Sequence, residues 1–166
     1  DMLEHPGETF DYDGQKLKYP NIKLIYWAGG NPFHHHQDLN RFVNAWQKPN
    51  TIIVNEIWWN AQARHADIIF PANTVLERND LMLNPRDPTI VANKKSIESF
   101  ADSKTDFQIF SGLAKRLGFE SIFTENRSEF EWIEFIWNES KKISKEFEID
   151  LPDFKNFWER GFFEVP

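Results

Sequence analysis

Apolar residues in the first third of the chain fall in short runs that glycine, proline and polar residues separate. The run at residues 22–27 predicts a buried strand, and Thr51–Val54, in which every residue is β-branched, predicts a second one. Between them, a helix over about residues 37–46 is predicted by apolar positions at helical spacing, namely Leu39, Phe42, Val43 and Trp46. Strand, helix and strand in this order are typical of a crossover that joins two parallel strands.

Later segments continue the mixture of strand and helix patterns. Further strands are predicted at residues 66–71 and 89–92. Further helices are predicted at residues 57–65, 104–117, 129–145 and 151–158. Ser103 and Asp106 have the spacing of a capping box for the helix at 104–117, and Ser128 and Glu131 have it for the helix at 129–145.

Three segments do not fit a regular pattern. Residues 10–19 are compatible with a small hairpin and equally with a surface arm that packs on a neighbour. Residues 74–80 are ambiguous between a strand and a loop. Residues 81–88 carry Pro85 and Pro88 and predict an irregular insertion.

Composition excludes several classes of function. The net charge of -7 and the absence of a basic stripe argue against a nucleic-acid partner. No apolar run reaches the roughly 18 residues that a membrane span needs. The chain has no cysteine, which rules out disulfides, thiolate-bound zinc and iron–sulfur ligation within it. The density of aromatic residues, with 7 Trp and 16 Phe, predicts that part of the surface docks against protein outside this chain, so we expect an excerpt of a longer protein.

The segment between the first strand and the first helix contains the adjacent pair Gly29-Gly30 and then Asn31-Pro32. Adjacent glycines let a backbone approach a ligand closely, and the amides of a following helix suit a phosphate. The full dinucleotide-binding fingerprint is absent, however, and the same residues also make an ordinary turn. Local pattern alone therefore leaves phosphate binding and a plain turn open.

Three consecutive histidines, His34, His35 and His36, follow that turn. Consecutive residues cannot all point at one metal ion, and no cysteine or carboxylate accompanies them at ligand spacing. Hydrogen bonding from an imidazole to a phosphate or ribose, with one histidine in a structural role, is the preferred interpretation.

Three charged residues are candidates for contacts with a nucleotide. Glu56 follows the second strand and lies 26 residues after Gly30, where an acid can accept from ribose hydroxyls; a solvated carboxylate at a strand end is the alternative. For Arg78 the alternative is a local ion pair with Glu77 or Asp80. Asp106 can accept from the N1–H and the exocyclic amine of a guanine, or act as the N3 residue of its helix.

Several motifs resemble those of one known family. The sequence WAGGNPFHHHQDLN at residues 27–40 is the most specific of them, and AWQKP at 45–49, RHADIIFP at 64–71 and LERND at 76–80 accompany it. The resemblance continues through DFQIF at 106–110, LG at 117–118, FTE at 123–125 and LPDF at 151–154. Together they are similar to the dimethyl sulfoxide, trimethylamine N-oxide and biotin sulfoxide reductases of the molybdopterin oxidoreductase superfamily.

The resemblance implies a large catalytic subunit that carries molybdenum on two molybdopterin guanine dinucleotides and reduces an S- or N-oxide by two electrons. This chain is similar to an interior domain of that subunit, which holds the guanosine end of one dinucleotide. The cofactor contacts that the resemblance implies are Asn31, His35, Asn55, Glu56, Arg78 and Asp106. The family's metal ligand is a serine of another domain, and no catalytic residue or metal ligand is assigned here.

The fold that we expect is α/β: a Rossmann-like, three-layer domain with a mostly parallel sheet and a helical C-terminal part. The predicted divisions are a polar arm at 1–20, the cofactor-binding domain at 21–118 and a helical extension at 119–166 that packs on it or on missing domains. The predicted partners are the remaining domains of the same subunit and a small-molecule oxide. Export to the periplasm is expected from the family, with the cytoplasm as the alternative.

The sequence departs from the family at three places, of which Phe70 for a usual leucine alters only packing. Asn60-Ala61-Gln62-Ala63 stands where threonines are usual, and residues 81–88 lack the expected glycine-containing continuation, which weakens the register between Arg78 and Asp106. Two other functions stay open at this point. One is a stand-alone nucleotide-binding module without molybdenum, and the other is a structural α/β domain that binds nothing.

Overall fold

A computed structural model describes all residues from Asp1 to Pro166. Contacts between Cα atoms divide the chain into two compact units, a first unit of Asp1–Ala72 and a second unit of Asn73–Pro166. The sequence predicts three divisions of the chain, with boundaries after residues 20 and 118. These divisions stay a prediction. None of the helices combines the length and the apolar character that a membrane span requires.

The first unit consists of a hairpin followed by alternating strands and helices. Its elements are β1 (Thr9–Tyr12), β2 (Gln15–Lys18), β3 (Leu24–Ala28), α1 (Pro32–His35), α2 (Leu39–Trp46), β4 (Thr51–Glu56), α3 (Ala61–Arg64) and β5 (Ile68–Pro71). Strands β1 and β2 pair antiparallel, so the hairpin is the correct alternative for residues 10–19. Strands β3, β4 and β5 form a parallel sheet with β4 in the centre, which confirms the predicted α/β class.

The core of the first unit lies against this parallel sheet. Its buried members are Phe33, Trp46, Ile52 and Val54. Because β4 has neighbours on both sides, Val54 is fully buried, as expected for the middle strand of a parallel sheet. The Trp46 indole donates a hydrogen bond to the His65 carbonyl over 3.1 Å, which satisfies its one polar atom.

The second unit combines an antiparallel sheet with helices. A 3₁₀ turn at Val75–Glu77 is followed by β6 (Asp80–Asn84), β7 (Asp87–Asn93), α4 (Asp106–Arg116), α5 (Glu120–Thr124), α6 (Glu129–Ser144), a 3₁₀ turn at Lys145–Phe147, α7 (Phe154–Arg160) and β8 (Phe162–Glu164). The sheet has the order β6-β7-β8. In its core the rings of Trp137 and Phe157 stack at 3.6 Å between centroids, and both side chains are buried.

Two predictions for the second unit were wrong. Residues 81–88 are not an irregular insertion, because β6 and β7 form a hairpin there and Asn84 pairs with Asp87. Pro85 lies in the turn between the two strands, where its missing N–H removes no ladder hydrogen bond. The Asn84 side chain accepts from the Arg86 amide over 3.0 Å and stabilises the turn.

The second error concerns the N-terminus of α4. The capping box consists of Thr105 and Gln108, two residues after the predicted pair. Ser103 instead accepts a hydrogen bond from the Asn73 side-chain amide over 3.1 Å, and Asp106 is the first helical residue. The predicted capping box of Ser128 and Glu131 at the start of α6 is confirmed.

Other differences are smaller. The helix predicted at 57–65 is confined to α3, because Asn60 is its N-cap. Residues 74–80 contain a 3₁₀ turn and the first residue of β6. The short elements α1, α5 and β8 were not predicted.

Candidate functional site

The turn after β3 depends on two glycines in the left-handed region. Gly29 has φ of +76° and Gly30 has φ of +65°, which side-chain-bearing residues rarely adopt. A Cβ built at either position meets no heavy atom within 4 Å, so the requirement is conformational and not spatial. The Trp27 indole donates to the Gly29 carbonyl over 2.7 Å and holds the turn in place.

Asn31 follows this turn and is the N-cap of α1. Its Oδ1 atom accepts from the Phe33 amide over 3.0 Å. Its Nδ2 atom is buried and has no hydrogen-bond partner. An unsatisfied buried donor costs about 1–3 kcal/mol, so this side chain combines a structural acceptor with a donor that is open to a further group.

The consecutive histidines lie in different surroundings. His36 stacks on Phe42 with ring centroids 4.4 Å apart and is therefore structural, whereas His35 is exposed in the last turn of α1. The one group of side chains whose ligand atoms approach closely is Asp1, Glu4 and His5, all within 4.8 Å. The Arg41 guanidinium donates to both carboxylates of that group and offsets part of their charge.

Asn55 and Glu56 form the carboxyl end of β4. Asn55 is buried, and its Oδ1 atom accepts from the Tyr26 hydroxyl over 3.0 Å. The Glu56 carboxylate accepts from the Ile57 amide over 2.8 Å, from the Trp58 amide over 3.3 Å and from the Asn60 side-chain amide over 2.8 Å. Glu56 is thus not merely solvated: it fixes the start of the loop to α3. Because two carboxylate oxygens offer about four lone-pair sites, it can accept about one more hydrogen bond.

Gln62, on α3, is a polar residue that sequence reasoning did not assign. Its side chain is completely buried, and neither Oε1 nor Nε2 has a hydrogen-bond partner. The sequence carried one signal for it, namely that residues 60–63 differ from the threonines of the family.

In the second unit, Arg78 makes the local ion pair that was the alternative interpretation. Its Nε atom donates to Asp80 over 3.0 Å and its Nη1 atom to the Asn73 carbonyl over 3.0 Å. Glu77 is not its partner, because that buried carboxylate accepts from the Thr74 amide over 2.7 Å and from the Phe100 amide over 2.6 Å. These backbone donors lower the pKa of Glu77.

Asp106 is the first residue of α4, and its carboxylate is not part of the capping box. Thr105 and Gln108 supply the capping box of this helix instead. Arg78 and Asp106 both act electrostatically on Glu129, at the start of α6, which places all three charges in one region of the second unit.

The structure thus groups the predicted residues within each unit. In the first unit, Ala28 pairs with Asn55 across the parallel strands. The turn that carries Asn31 and the strand end that carries Glu56 therefore follow neighbouring strands at the same edge of the sheet. In open α/β sheets, ligands bind outside the carboxyl ends of the strands, so this edge is the candidate site of the first unit.

Comparison with known proteins agrees with these observations. The model of the family described as molybdopterin oxidoreductase matches residues 1–116. A biotin sulfoxide reductase from Cereibacter sphaeroides is 44% identical over 167 residues, which is 100% of this chain and 22% of the relative. A dimethyl sulfoxide/trimethylamine N-oxide reductase from Rhodobacter capsulatus is 44% identical over 168 residues, 100% of this chain and 20% of the relative.

The similarity extends to other reductases and to a solved structure. A trimethylamine-N-oxide reductase from Haemophilus influenzae is 43% identical over 160 residues, covering 95% of this chain and 19% of that protein. The chain therefore spans about a fifth of the length of these relatives. Acetylene hydratase from Pelobacter acetylenicus shares the fold with a TM-score of 0.67 at 14% identity, over 89% of this chain and 19% of the hydratase. The chain belongs to the molybdopterin oxidoreductase family.

Proposed function

We propose that this chain binds the guanosine end of a molybdopterin guanine dinucleotide within a larger S- or N-oxide reductase. Family membership implies a molybdenum–molybdopterin cofactor, and the guanine dinucleotide form is part of the proposal. The relatives named above reduce biotin sulfoxide, dimethyl sulfoxide or trimethylamine N-oxide according to their names, which supports oxide reduction as the reaction of the whole protein. The other domains of the same subunit are the proposed partners, and a periplasmic location stays a prediction.

The observation that carries the proposal is the arrangement at the edge of the parallel sheet. The Asn31 donor has no partner, although it is buried directly after a glycine turn. Glu56 follows the neighbouring strand and retains acceptor capacity beside the hydrogen bonds that it already accepts. A donor for a phosphate or sugar oxygen and an acceptor for ribose hydroxyls are thus both present at the edge where nucleotides bind. These residues fit the guanosine end of the cofactor.

Each predicted residue then has a stated role. In the first unit, Asn31 and His35 donate to phosphate or sugar oxygens, and Glu56 accepts from the ribose while Asn55 adds amide contacts. In the second unit, Arg78 supplies a positive charge and Asp106 accepts from the N–H groups of the guanine. When bound, the molybdenum cofactor supplies the two-electron redox chemistry; this chain's part is to hold and orient it.

The decisive test uses Asn31→Asp in the full-length enzyme, with molybdenum and releasable GMP measured per subunit. Aspartate keeps the oxygen that caps α1, but it removes the Nδ2 donor and brings a negative charge towards the phosphates. We expect roughly tenfold lower cofactor occupancy with little change in melting temperature. Glu56→Ala should also lower occupancy, because the ribose loses its acceptor.

Glu8→Ala is the matched control, since Glu8 is an exposed glutamate of the same unit whose side chain hydrogen-bonds to the exposed His5 ring. Its cofactor content should equal that of the wild type. Full cofactor content in both Asn31→Asp and Glu56→Ala would refute the proposal and favour a structural α/β domain.

A further inference from the structure

The hairpin of β1 and β2 has one apolar face and one polar face. Residues paired across two strands lie on the same side of a sheet, and successive residues of a strand alternate between its sides. The register pairs Phe10 with Leu17 and Thr9 with Lys18. The apolar face therefore carries Phe10, Tyr12, Leu17 and Tyr19. The polar face carries Thr9, Asp11, Lys16 and Lys18. Such a division is typical of a sheet that covers protein on one face only.

The apolar face is not part of the core of the first unit. No residue of the hairpin belongs to the buried cluster of that core or to the partly buried apolar side chains packed against it. The rings pack on each other instead: Phe10 stacks on Tyr19 at 4.1 Å between centroids and contacts Tyr12 edge-on at 6.5 Å. Tyr12 is 65% exposed and Leu17 is 38% exposed. Much of this apolar surface is therefore not covered by the rest of the unit.

The hairpin has a regular shape in spite of this exposure. Asp13 and Gly14 in its turn have φ of +48° and +73°, the pair of positive angles that a type I′ turn requires and that suits the twist of the two strands. At the other end of the hairpin, the Gly7 amide donates to the Tyr19 carbonyl over 2.8 Å. The apolar side chains are thus presented on one ordered surface.

A two-stranded hairpin needs further packing to be stable. Alone in water it is marginally stable at best, and it requires a third strand or an element packed on its apolar face. Strands β1 and β2 form a sheet of two strands, so no third strand of this chain supplies that packing. Exposed aromatic clusters are also typical of surfaces that contact other protein. The apolar face is therefore suited to be covered by another protein surface.

We infer that the apolar face of this hairpin docks on an apolar surface of another domain of the same catalytic subunit. The chain spans about a fifth of the length of its relatives, so most of such a subunit lies outside residues 1–166. The inference rests on the part of the proposed function that names those domains as partners, and it does not require the guanosine site.

A second copy of the chain is a less suitable partner for this face. Stable complexes between separate proteins use about 20–30 residues on each side, whereas the apolar face of the hairpin has four side chains. A domain of the same polypeptide is held nearby at a high effective concentration, so a small contact suffices. The polar face, on which Lys16 pairs with Asp11 over 3.6 Å, remains towards water.

The first test places the photo-crosslinking amino acid benzoylphenylalanine at Tyr12 of the complete catalytic subunit. The matched control has it at Asp11, the neighbouring residue on the polar face of the same strand. After illumination, mass spectrometry identifies the crosslinked peptides. We expect the probe at Tyr12 to crosslink to residues of the subunit outside this chain, and the probe at Asp11 to give no such crosslink.

Three results of this test would overturn the inference. Crosslinks from Tyr12 that are confined to residues 1–166 would mean that the chain itself covers the face. Crosslinks between two subunits would identify a second copy as the partner. The absence of crosslinks at Tyr12 would mean that the face is open to water.

A charge on the same face gives a second measurement on the native full-length subunit. Tyr12→Asp places a carboxylate in the proposed contact, whereas Thr9→Asp places one on the polar face of the same strand. Trypsin cleaves after Lys16 and Lys18 once the two strands open. We expect Tyr12→Asp to raise the cleavage rate at these lysines about tenfold and Thr9→Asp to leave it near that of the wild type. Equal rates in the two variants would contradict the docking.

The cofactor measurements separate this inference from the proposed function. The expected crosslinks from Tyr12, together with full cofactor content in Asn31→Asp and Glu56→Ala, would refute the guanosine assignment and support the docking face. Reduced cofactor content in those two variants, together with no crosslink at Tyr12, would refute the docking face and support the guanosine assignment.

Discussion

Two polar side chains, Asn31 in the first unit and Glu77 in the second, differ in whether their buried polar atoms have hydrogen-bond partners. At the sheet edge of the first unit, Asn31 keeps a buried donor without a partner. In the second unit, the Glu77 carboxylate is surrounded by donors from Thr74 and Phe100. A buried polar group whose hydrogen bonds are all made stabilises the fold. A buried polar group without a partner at the edge of the sheet can instead bind a ligand. The comparison shows that burial alone does not distinguish a structural from a functional polar residue. The presence or absence of hydrogen-bond partners for its polar atoms distinguishes the two.

The largest expected effect concerns the aromatic core of the second unit. Phe157→Ala removes a fully buried ring that stacks on Trp137, and we expect a loss of about 3–5 kcal/mol in the free energy of unfolding. Phe100→Ala is the control with the same change in size, because that ring is 82% exposed and its substitution should cost little. Thermal and urea unfolding measure both. Equal losses in the two variants would show that the assigned core is wrong.

The second prediction concerns Glu77, the buried carboxylate that has hydrogen-bond partners. Glu77→Ala leaves the amides of Thr74 and Phe100 without their acceptor, so the melting temperature should fall by roughly 5 °C. Glu98→Ala serves as the control, because the Glu98 side chain is exposed and pairs only with Lys95. If Glu77→Ala has the same melting temperature as the wild type, these hydrogen bonds contribute no net stability.

The third prediction concerns how the stabilisation by Glu77 depends on pH. The pKa of Glu77 is lowered from its ordinary value of 4.5, mainly by hydrogen bonds from the Thr74 and Phe100 amides. A carboxyl whose pKa is lowered in the folded state stabilises the fold above its unfolded pKa, and that stabilisation is lost as the pH falls through the folded value. The gap in melting temperature between the wild type and Glu77→Gln should therefore be full at neutral pH and shrink below pH 4.5. A gap that is constant across this range would contradict the assignment.

A smaller effect is expected at the glycine turn of the first unit. Gly30→Ala places a side chain in the left-handed region, which costs about 1–2 kcal/mol, although the Cβ would meet no neighbour. Gly112→Ala is the control, because Gly112 lies inside α4 without a positive φ. Chemical denaturation compares the two. If both substitutions have the same effect, the turn does not depend on its left-handed backbone.

The smallest effect separates the two functions of Asn31. Asn31→Ala loses the cap of α1 and should cost about 1 kcal/mol, whereas Asn31→Asp retains the cap and should cost less. Unfolding measurements on the two variants check this order. A reversed order would mean that the Nδ2 atom, and not the capping oxygen, stabilises the fold.

Much of the first unit was predictable, because its signals are local. The β-branched run at Thr51–Val54, the glycine turn and the apolar spacing of α2 each lie within a few consecutive residues. Two sites in the second unit show why prediction was harder there. Ser103 with Asp106 and Thr105 with Gln108 have the same spacing, and only the second pair has the glutamine or glutamate that a capping box requires at its last position. The hydrogen bond from Asn73 to Ser103, made across 30 residues, is part of what distinguishes them.

The sequence by itself determined the α/β class, the parallel pairing of the first two strands of that sheet and the fact that Asn31 and Glu56 follow the ends of these strands. It did so because parallel strands have a fixed direction, so residues that follow neighbouring strands meet at one edge. Tertiary structure alone revealed that Glu56 orders the loop to α3 and that the Phe100 amide donates to Glu77 from 23 residues away. The hydrogen bonding and the burial of these carboxyl groups depend on donors and walls that come from distant parts of the chain, and no local pattern encodes such contacts.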